Sequence, residues 1–450
     1  MTPSRRDFLK KSTKAAAGVY LGTLGLSAKS YARILGANDR VQVGIVGFSD
    51  RFRSSLLPAF LTHNKELNFD IIAVSDLWKL RREEGQAALK QKLEHDIQAC
   101  VNNDALYSIK GLDAVIISTP DFTHALSTAE AVNHGCDTYT EKPFAETMDD
   151  AAVALKAVKA SNKIVQIGSQ RRSGANYQQA AEFIQKGKFG PITMVEMTWN
   201  VNQPARWRRP DLVAKLKEED TDWKRFLLNR PFEAFDPRKY LEFRLFWPYS
   251  SGAPSQWMSH QIDTVHWFSG LRHPRSVVAN GGIYMWKDGR RNWDTTTAVF
   301  DYGPGDDPGT GFQVVYSTRM HNGEDKPSEI YYSNGGELNL VTNKISPKGG
   351  LQKADADAMH MQPNLLPEMS LEDVKVVAAA NTGGDPLTSA HMRNWMECVR
   401  SRKQPNAPVE AGYSHSIATI MTNAAIHTGQ KATFDEKTGQ VMAGDKVFKY

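Results

Sequence analysis

The feature that most constrains this chain is the regular alternation, over residues 41–167, of short β-branched runs with helix-like stretches. The runs are Val41–Gly47, Phe69–Asp76, Ala114–Ser118, Asp137–Thr140 and Ile164–Ile167. Helical patterns begin at about Ser54 and recur around Ala125–Asn133 and over Asp149–Ala160. Near-continuous apolar strands separated by helices predict a parallel sheet wound on both faces. In such a sheet a ligand sits at the carboxyl ends of the strands. Gly47, Asp76 and Thr119-Pro120 all fall at such ends, so separate loops converge on one crevice.

A dinucleotide fits that crevice. Asp76 is suited to accept hydrogen bonds from both ribose hydroxyls of an adenosine and to repel a 2′-phosphate, which favours NAD over NADP. Lys79, Arg81 and Arg82 weaken that preference, and NADP is not excluded. The glycine fingerprint itself is incomplete. Gly47 opens it, followed by Phe48, but Ser49 and Phe52 occupy the positions of its second and third glycines. Ser49 still permits a backbone amide to approach a pyrophosphate, whereas Phe52 must change how the following helix packs.

At 450 residues the chain exceeds what one hydrophobic core usually supports. The formal charge of +5 is confined to the N-terminus: residues 1–32 hold six Lys/Arg against Asp7, leaving the remainder neutral. A nucleic-acid partner therefore has no electrostatic support. Ser4-Arg5-Arg6-Asp7-Phe8-Leu9-Lys10, the weakly apolar Ala15–Leu26 and Ser30-Tyr31-Ala32 together resemble a twin-arginine export signal. That apolar stretch is too short for a stable membrane span. The expected organisation is a signal over 1–32, a dinucleotide-binding domain over 33–167 and a second domain over 168–450, in a protein exported to the periplasm. Cys100, Cys136 and Cys398 are scattered and suggest neither a disulfide framework nor a metal site.

Thr138-Tyr-Thr-Glu141-Lys142-Pro143, with Thr119-Pro120-Asp121 and His124 upstream, resembles the glucose-fructose oxidoreductase / inositol dehydrogenase / MocA (Gfo/Idh/MocA) family. The likeness continues through Gly168-Ser-Gln-Arg171-Arg172, Phe243-Arg244-Leu-Phe-Trp247 and Ser259-His260-Gln-Ile-Asp263. It implies a Rossmann domain followed by an α/β domain with a large, mainly antiparallel open sheet, which often serves oligomer formation. Ile192–Trp199, Thr295–Asp301 and Phe312–Thr318 suit strands of that sheet.

The implied chemistry is hydride transfer between a sugar or polyol carbinol and a nicotinamide. The carbinol proton must leave with the hydride, so an acid or base must reach its oxygen. By resemblance Lys142 and His260 take these places, and Gly47, Phe48, Ser49, Asp76, Thr119, Pro120, His124, Glu141 and Lys142 line the cofactor. Arg171, Gln256 and Asp263 are candidate substrate contacts. The family usually places Asp one helical turn before this His, where this chain has Gln256. A neutral amide orients an imidazole but does not stabilise its cation, so His260 is expected to be a weaker base. Either Lys142 carries the proton chemistry, or Asp263 takes part, or activity is reduced. No metal site is expected, because His266 lies about 120° around a helix from His260. Arg206, Arg208 and Arg209 suit a solvated loop or contacts to an acidic substrate, and the solvated loop is the reading preferred.

The periplasm offers no exchanging pool of NAD(H), so a tightly held cofactor cycling between two substrates is expected. The alternatives are an NAD-dependent glycosidase working by oxidation, elimination, hydration and reduction, or a non-catalytic sugar-binding protein. Residues 352–382 show no clear period and suggest an extended loop or inter-subunit arm.

Overall fold

The computed structural model describes residues 39–449 apart from 306, 308, 325, 326, 363 and 373–384. The export signal expected over 1–32 lies outside the described residues, as does part of the 352–382 segment. Within that segment a short helix spans Lys353–Ala358 and an edge strand Met369–Ser370.

The first sheet contains β1 (Val41–Val46), β2 (Phe69–Ser75), β3 (Gln98–Cys100), β4 (Ala114–Ile117), β5 (Asp137–Thr140) and β6 (Val165–Ile167). Its order is β3-β2-β1-β4-β5-β6, and every pairing is parallel. β4 and β5 are buried at every position, as strands covered on both faces must be. The order reverses between β1 and β4, which opens a crevice at their carboxyl ends. Helices α1 (Leu57–Leu67), α2 (Lys79–Leu93), α3 (His124–Asn133) and α4 (Met148–Ala160) connect the strands. Sequence patterning misses β3, whose three residues are mostly exposed and carry no apolar run.

After α5 (Ala175–Gln185) the chain enters an eleven-stranded sheet. It comprises β7 (Met194–Thr198), β8 (Ser276–Gly282), β9 (Thr295–Tyr302), β10 (Phe312–Arg319), β11 (Ser328–Ser333), β12 (Gly336–Asn339), β13 (Lys344–Ser346), β14 (Met369–Ser370), β15 (Ala432–Asp435), β16 (Gln440–Ala443) and β17 (Lys446–Val447). All its pairings are antiparallel except β7 with β10. The architecture is therefore the Rossmann-type sheet plus mainly antiparallel sheet expected from the sequence.

Three further helices bind the two sheets together: α6 (Ser259–Ser269), α7 (Pro386–Ser401) and α8 (Val409–Thr428). α8 is buried over most of its length, as befits a helix apolar on all sides, and packs against α4, α6 and β8. α7 returns to the first sheet and packs on α1. Its Met392, Trp395, Met396, Cys398 and Val399 join Val43, Ile45, Phe60, Phe69 and Ile71 in one core. The three cysteines are buried and unpaired.

Candidate active site

The turn after β1 is built for close approach. Gly47 has φ +87°, and a Cβ there would come within 2.9 Å of Thr119 Cγ2. Only glycine takes this conformation without strain. Ser49 caps the helix that follows: its hydroxyl accepts from Phe52 N at 3.2 Å and donates to Ser118 Oγ at 3.1 Å. Phe52, at the position of the missing third glycine, points away from the crevice into the core, its ring 5.7 Å from that of Phe48. The helix widens to π spacing over Phe52–Leu56, which lets a large side chain sit where a glycine normally permits tight packing.

At the end of β2, Asp76 accepts from Phe48 N and Trp78 N, each at 2.9 Å. These bonds fix the carboxylate and leave a lone pair on each oxygen for a ribose. Burial raises its pKa despite the two amides. A cleft of about 450 Å³ runs along these strand ends, lined by Gly47, Phe48, Ser49, Asp76, Thr119 and Pro120. Its far wall comes from the second domain: Trp207, Arg209, Leu212, Phe226, Tyr240 and Arg244. Asp50 at the helix start gathers Arg81 and Arg209 at 3.1 Å each, and Arg53. A dinucleotide fits these groups: glycine clears space for the phosphates, Ser49 and the helix amides face them, and Asp76 faces the adenosine ribose.

Lys142, two residues beyond β5, does not itself line this cleft; it is joined to the wall through Gln256, whose side chain accepts from Arg244. Its Nζ donates to the backbone carbonyl of Gln256 at 2.6 Å. Burial pulls its pKa down to about 7, against the opposing pull of Glu141 and Asp121. The loop carrying it is clamped by α8. Phe144 N donates to His415 Nε2 and Ala145 N to Ser416 Oγ, both at 3.1 Å, while Gly412 lets Phe144 lie against the helix. No motif points to His415 or Ser416, because they act through the backbone of a loop 271 residues away.

Several residues expected at ligands are committed elsewhere. His124 is buried, with Nδ1 2.6 Å from Pro143 O and Nε2 2.8 Å from Thr119 O. It ties the two loops together from behind and does not line the cleft. Glu141 accepts from Arg51 Nε at 2.9 Å and Gln170 Nε2 at 3.1 Å. Burial opposes its ionisation, but Arg51 and Lys142 outweigh that and hold its pKa below the ordinary value. Arg171 forms a buried ion pair with Glu329, and Asp263 a two-pronged one with Arg172 at 2.8 and 2.9 Å. Neither is available to a substrate. His266 is held by Tyr302 Oη and Ser414 Oγ.

Gln256 does not orient His260. It lies in a π-helical turn, Pro254–Met258, and its amide donates to Asp121 while its oxygen accepts from Arg244 Nε at 2.8 Å. His260 instead stacks on Trp199 with ring centroids 6.0 Å apart. Burial, then the charges of Lys142 and Arg171, drive its pKa well below the usual value, so its ring is neutral at pH 7. With Asp263 paired to Arg172, Lys142 is the one of the three candidates named from the sequence that is left to move a proton.

Residues 41–169 match the GFO_IDH_MocA family model, described as an oxidoreductase family with an NAD-binding Rossmann fold. Inositol 2-dehydrogenase of Salmonella paratyphi B is 25% identical over 244 residues, 53% of this chain. That stretch is 66% of the relative, so the chain spans just under two thirds of its length. A 1-carboxy-3-chloro-3,4-dihydroxycyclohexa-1,5-diene dehydrogenase of Comamonas testosteroni is 23% identical over 64% of this chain and 60% of its own. Among solved structures, WlbA dehydrogenase of Bordetella pertussis, in complex with NADH and UDP-GlcNAcA, has a TM-score of 0.62 at 15% identity. It covers 88% of this chain and 98% of WlbA. Levoglucosan dehydrogenase in complex with NADH and levoglucosan has a TM-score of 0.61 at 13% identity, covering 88% and 99%.

Proposed function

We propose that residues 41–169, which match the family model, form an NAD-binding Rossmann domain of the Gfo/Idh/MocA oxidoreductase family and that the protein oxidises a carbinol of a sugar or polyol. The observation that carries the reading is Lys142, a lysine with a pKa near 7 joined through Gln256 to the wall of the dinucleotide cleft. The relatives whose names specify inositol and levoglucosan support a polyhydroxylated substrate.

Bound nicotinamide would supply the hydride acceptor, and a second, carbonyl-bearing substrate would take the hydride back to complete each turnover. The remaining work falls to side chains. With a pKa near 7, a large fraction of Lys142 is neutral amine at neutral pH and takes the hydroxyl proton, the Gln256 carbonyl fixing Nζ in place. A neutral His260 offers one donor and one acceptor to orient a hydroxyl against Trp199. Asp76 favours NAD over NADP, since a 2′-phosphate would meet a fixed carboxylate.

We propose further that the cofactor is tightly held. The wall contributed by Trp207, Arg209, Tyr240 and Arg244 would have to move for NAD to leave. Retention suits export by the twin-arginine route, and association through the open face of the second sheet belongs to the same reading. Purified, export-matured protein should release about one NAD(H) per chain on denaturation and sediment as an oligomer. Sugars added to the native protein should reduce the bound cofactor, seen as absorbance at the nicotinamide band. Repeated preparations that neither contain nor take up NAD would refute the redox reading.

His260→Ala should lower turnover only about tenfold, the cost of losing an orienting hydrogen bond rather than the proton acceptor. Steady-state rates with the preferred sugar check this; a loss as large as that of a Lys142 variant would restore His260 to the proton chemistry.

A further inference from the structure

Arg206, Arg208 and Arg209 look alike in the sequence, and the structure separates the first from the other two. Arg208 pairs with Glu242 and Asp288, and Arg209 with Asp50. Arg206 makes no ion pair among the described residues. Its guanidinium lies over Trp257 at 5.5 Å and Trp207 at 6.0 Å, and its one hydrogen bond is to Gln203 Oε1 at 2.6 Å. Arg206 is half-buried, and burial with the nearby cations Arg244 and Arg209 pulls its pKa down to about 10.

Arg244 is its counterpart. It stacks over Phe243 at 4.5 Å and donates to Gln256 Oε1, and its closest carboxylate oxygen is Asp121 Oδ1, 3.9 Å away. Gln256 thus touches Arg244 through its side chain and Lys142 through its carbonyl, and the next residue, Trp257, carries Arg206. Arg209 and Arg244 belong to the wall of the dinucleotide cleft, whereas Arg206 does not. A partly desolvated guanidinium without a carboxylate is costly, and an incoming oxyanion offsets that cost through a two-pronged bond. The adjoining indoles of Trp207 and Trp257 offer apolar faces suited to a sugar ring.

We infer that the substrate is a sugar bearing an oxyanion, the carboxylate of a uronic acid or a sulfate ester, held by Arg206 with Arg244 while its carbinol meets Lys142. This rests on the oxidoreductase reading above.

The test uses the full, NAD-loaded protein, with a keto-sugar supplied to reoxidise the bound NADH, and matched sugars: methyl galactoside, methyl galacturonide and galactose 6-sulfate, and the corresponding gluco pair. Anionic sugars should be oxidised with kcat/KM at least about tenfold above their neutral partners, and added salt should erode the difference. Whichever anion shows the preference, carboxylate or sulfate, identifies the group. Arg206→Ala should raise KM for the anionic sugar about 20-fold with little change in kcat, and Arg206→Lys should restore part of the loss. Neutral sugars turned over as well as anionic ones by the unaltered protein would overturn the inference, whatever the variants do. So would an Arg206→Ala loss equal for both kinds of sugar. If no sugar of either kind reduces the bound NAD, the oxidoreductase reading fails; if only neutral sugars do, this inference alone fails.

Discussion

Lys142→Met should reduce kcat by about a thousandfold or more while NAD stays bound, because it removes the proton acceptor and leaves the cleft intact. The unaltered protein should show an acid limb in kcat/KM near pH 7: as pH falls through the lysine pKa, the amine is protonated and loses its capacity as a base. Lys142→Arg, charged at all these pH values, should be as inactive as Met. Stability should move the other way. Burial depresses the folded-state pKa from 10.5 to about 7, so the unfolded chain binds the proton more tightly. The resulting penalty is complete below pH 7 and disappears as pH rises through 10.5. Lys142→Met should therefore melt a few degrees higher than the unaltered protein at pH 7, with a smaller gap at pH 9. A pH-independent gap, or a variant keeping a tenth of the activity, would remove Lys142 from the proton transfer.

Gly47→Val should abolish NAD retention, weakening affinity by about a hundredfold or more. A β-branched residue at φ +87° is strained by about 1–2 kcal/mol, and its Cβ collides with Thr119 on the opposing loop. The collision spreads β1 from β4 at the point where a pyrophosphate needs backbone amides in register. Gly111→Val separates strain from site. Gly111 has φ +85°, but its added Cβ would meet only the Gln42 side chain, at 3.4 Å. It should lose comparable stability and keep its cofactor. Nicotinamide content per chain, with melting curves for both variants, measures the two effects; equal NAD loss in both would mean that general destabilisation is the cause.

The parallel sheet was legible because five of its strands are short apolar or β-branched runs, three of them ending at Gly47, Asp76 or Thr119-Pro120. β3 has no such run: of its three residues only Cys100 is buried. In the second sheet, β7, β9 and β10 show alternation, whereas short strands such as β13 and β17 are defined only by their partners. Among the candidate site residues, Gly47, Ser49, Asp76 and Thr119 stand at strand ends as expected, because an apolar run shows where a strand stops. The pairing of the other charged and polar side chains was not legible, because sequence does not say which partner a charge finds. Arg171 finds Glu329, Asp263 finds Arg172, and Gln256 finds Asp121 and Arg244. Arg206 matters for the opposite reason: it finds no carboxylate.

The helix formed by residues 386–401 supplies Trp395 and four neighbours to the core beneath the first sheet. Until those residues emerge from the ribosome, the apolar faces of β1, β2 and α1 have no cover on that side. Synthesis cannot leave behind a finished N-terminal half that waits for the remainder. The two ends of the chain must consolidate together, late, and the nucleotide crevice takes its final shape in the same event. A fragment ending near residue 170 should accordingly be prone to aggregation, whereas chaperone engagement would be released only once the helix over 386–401 has docked.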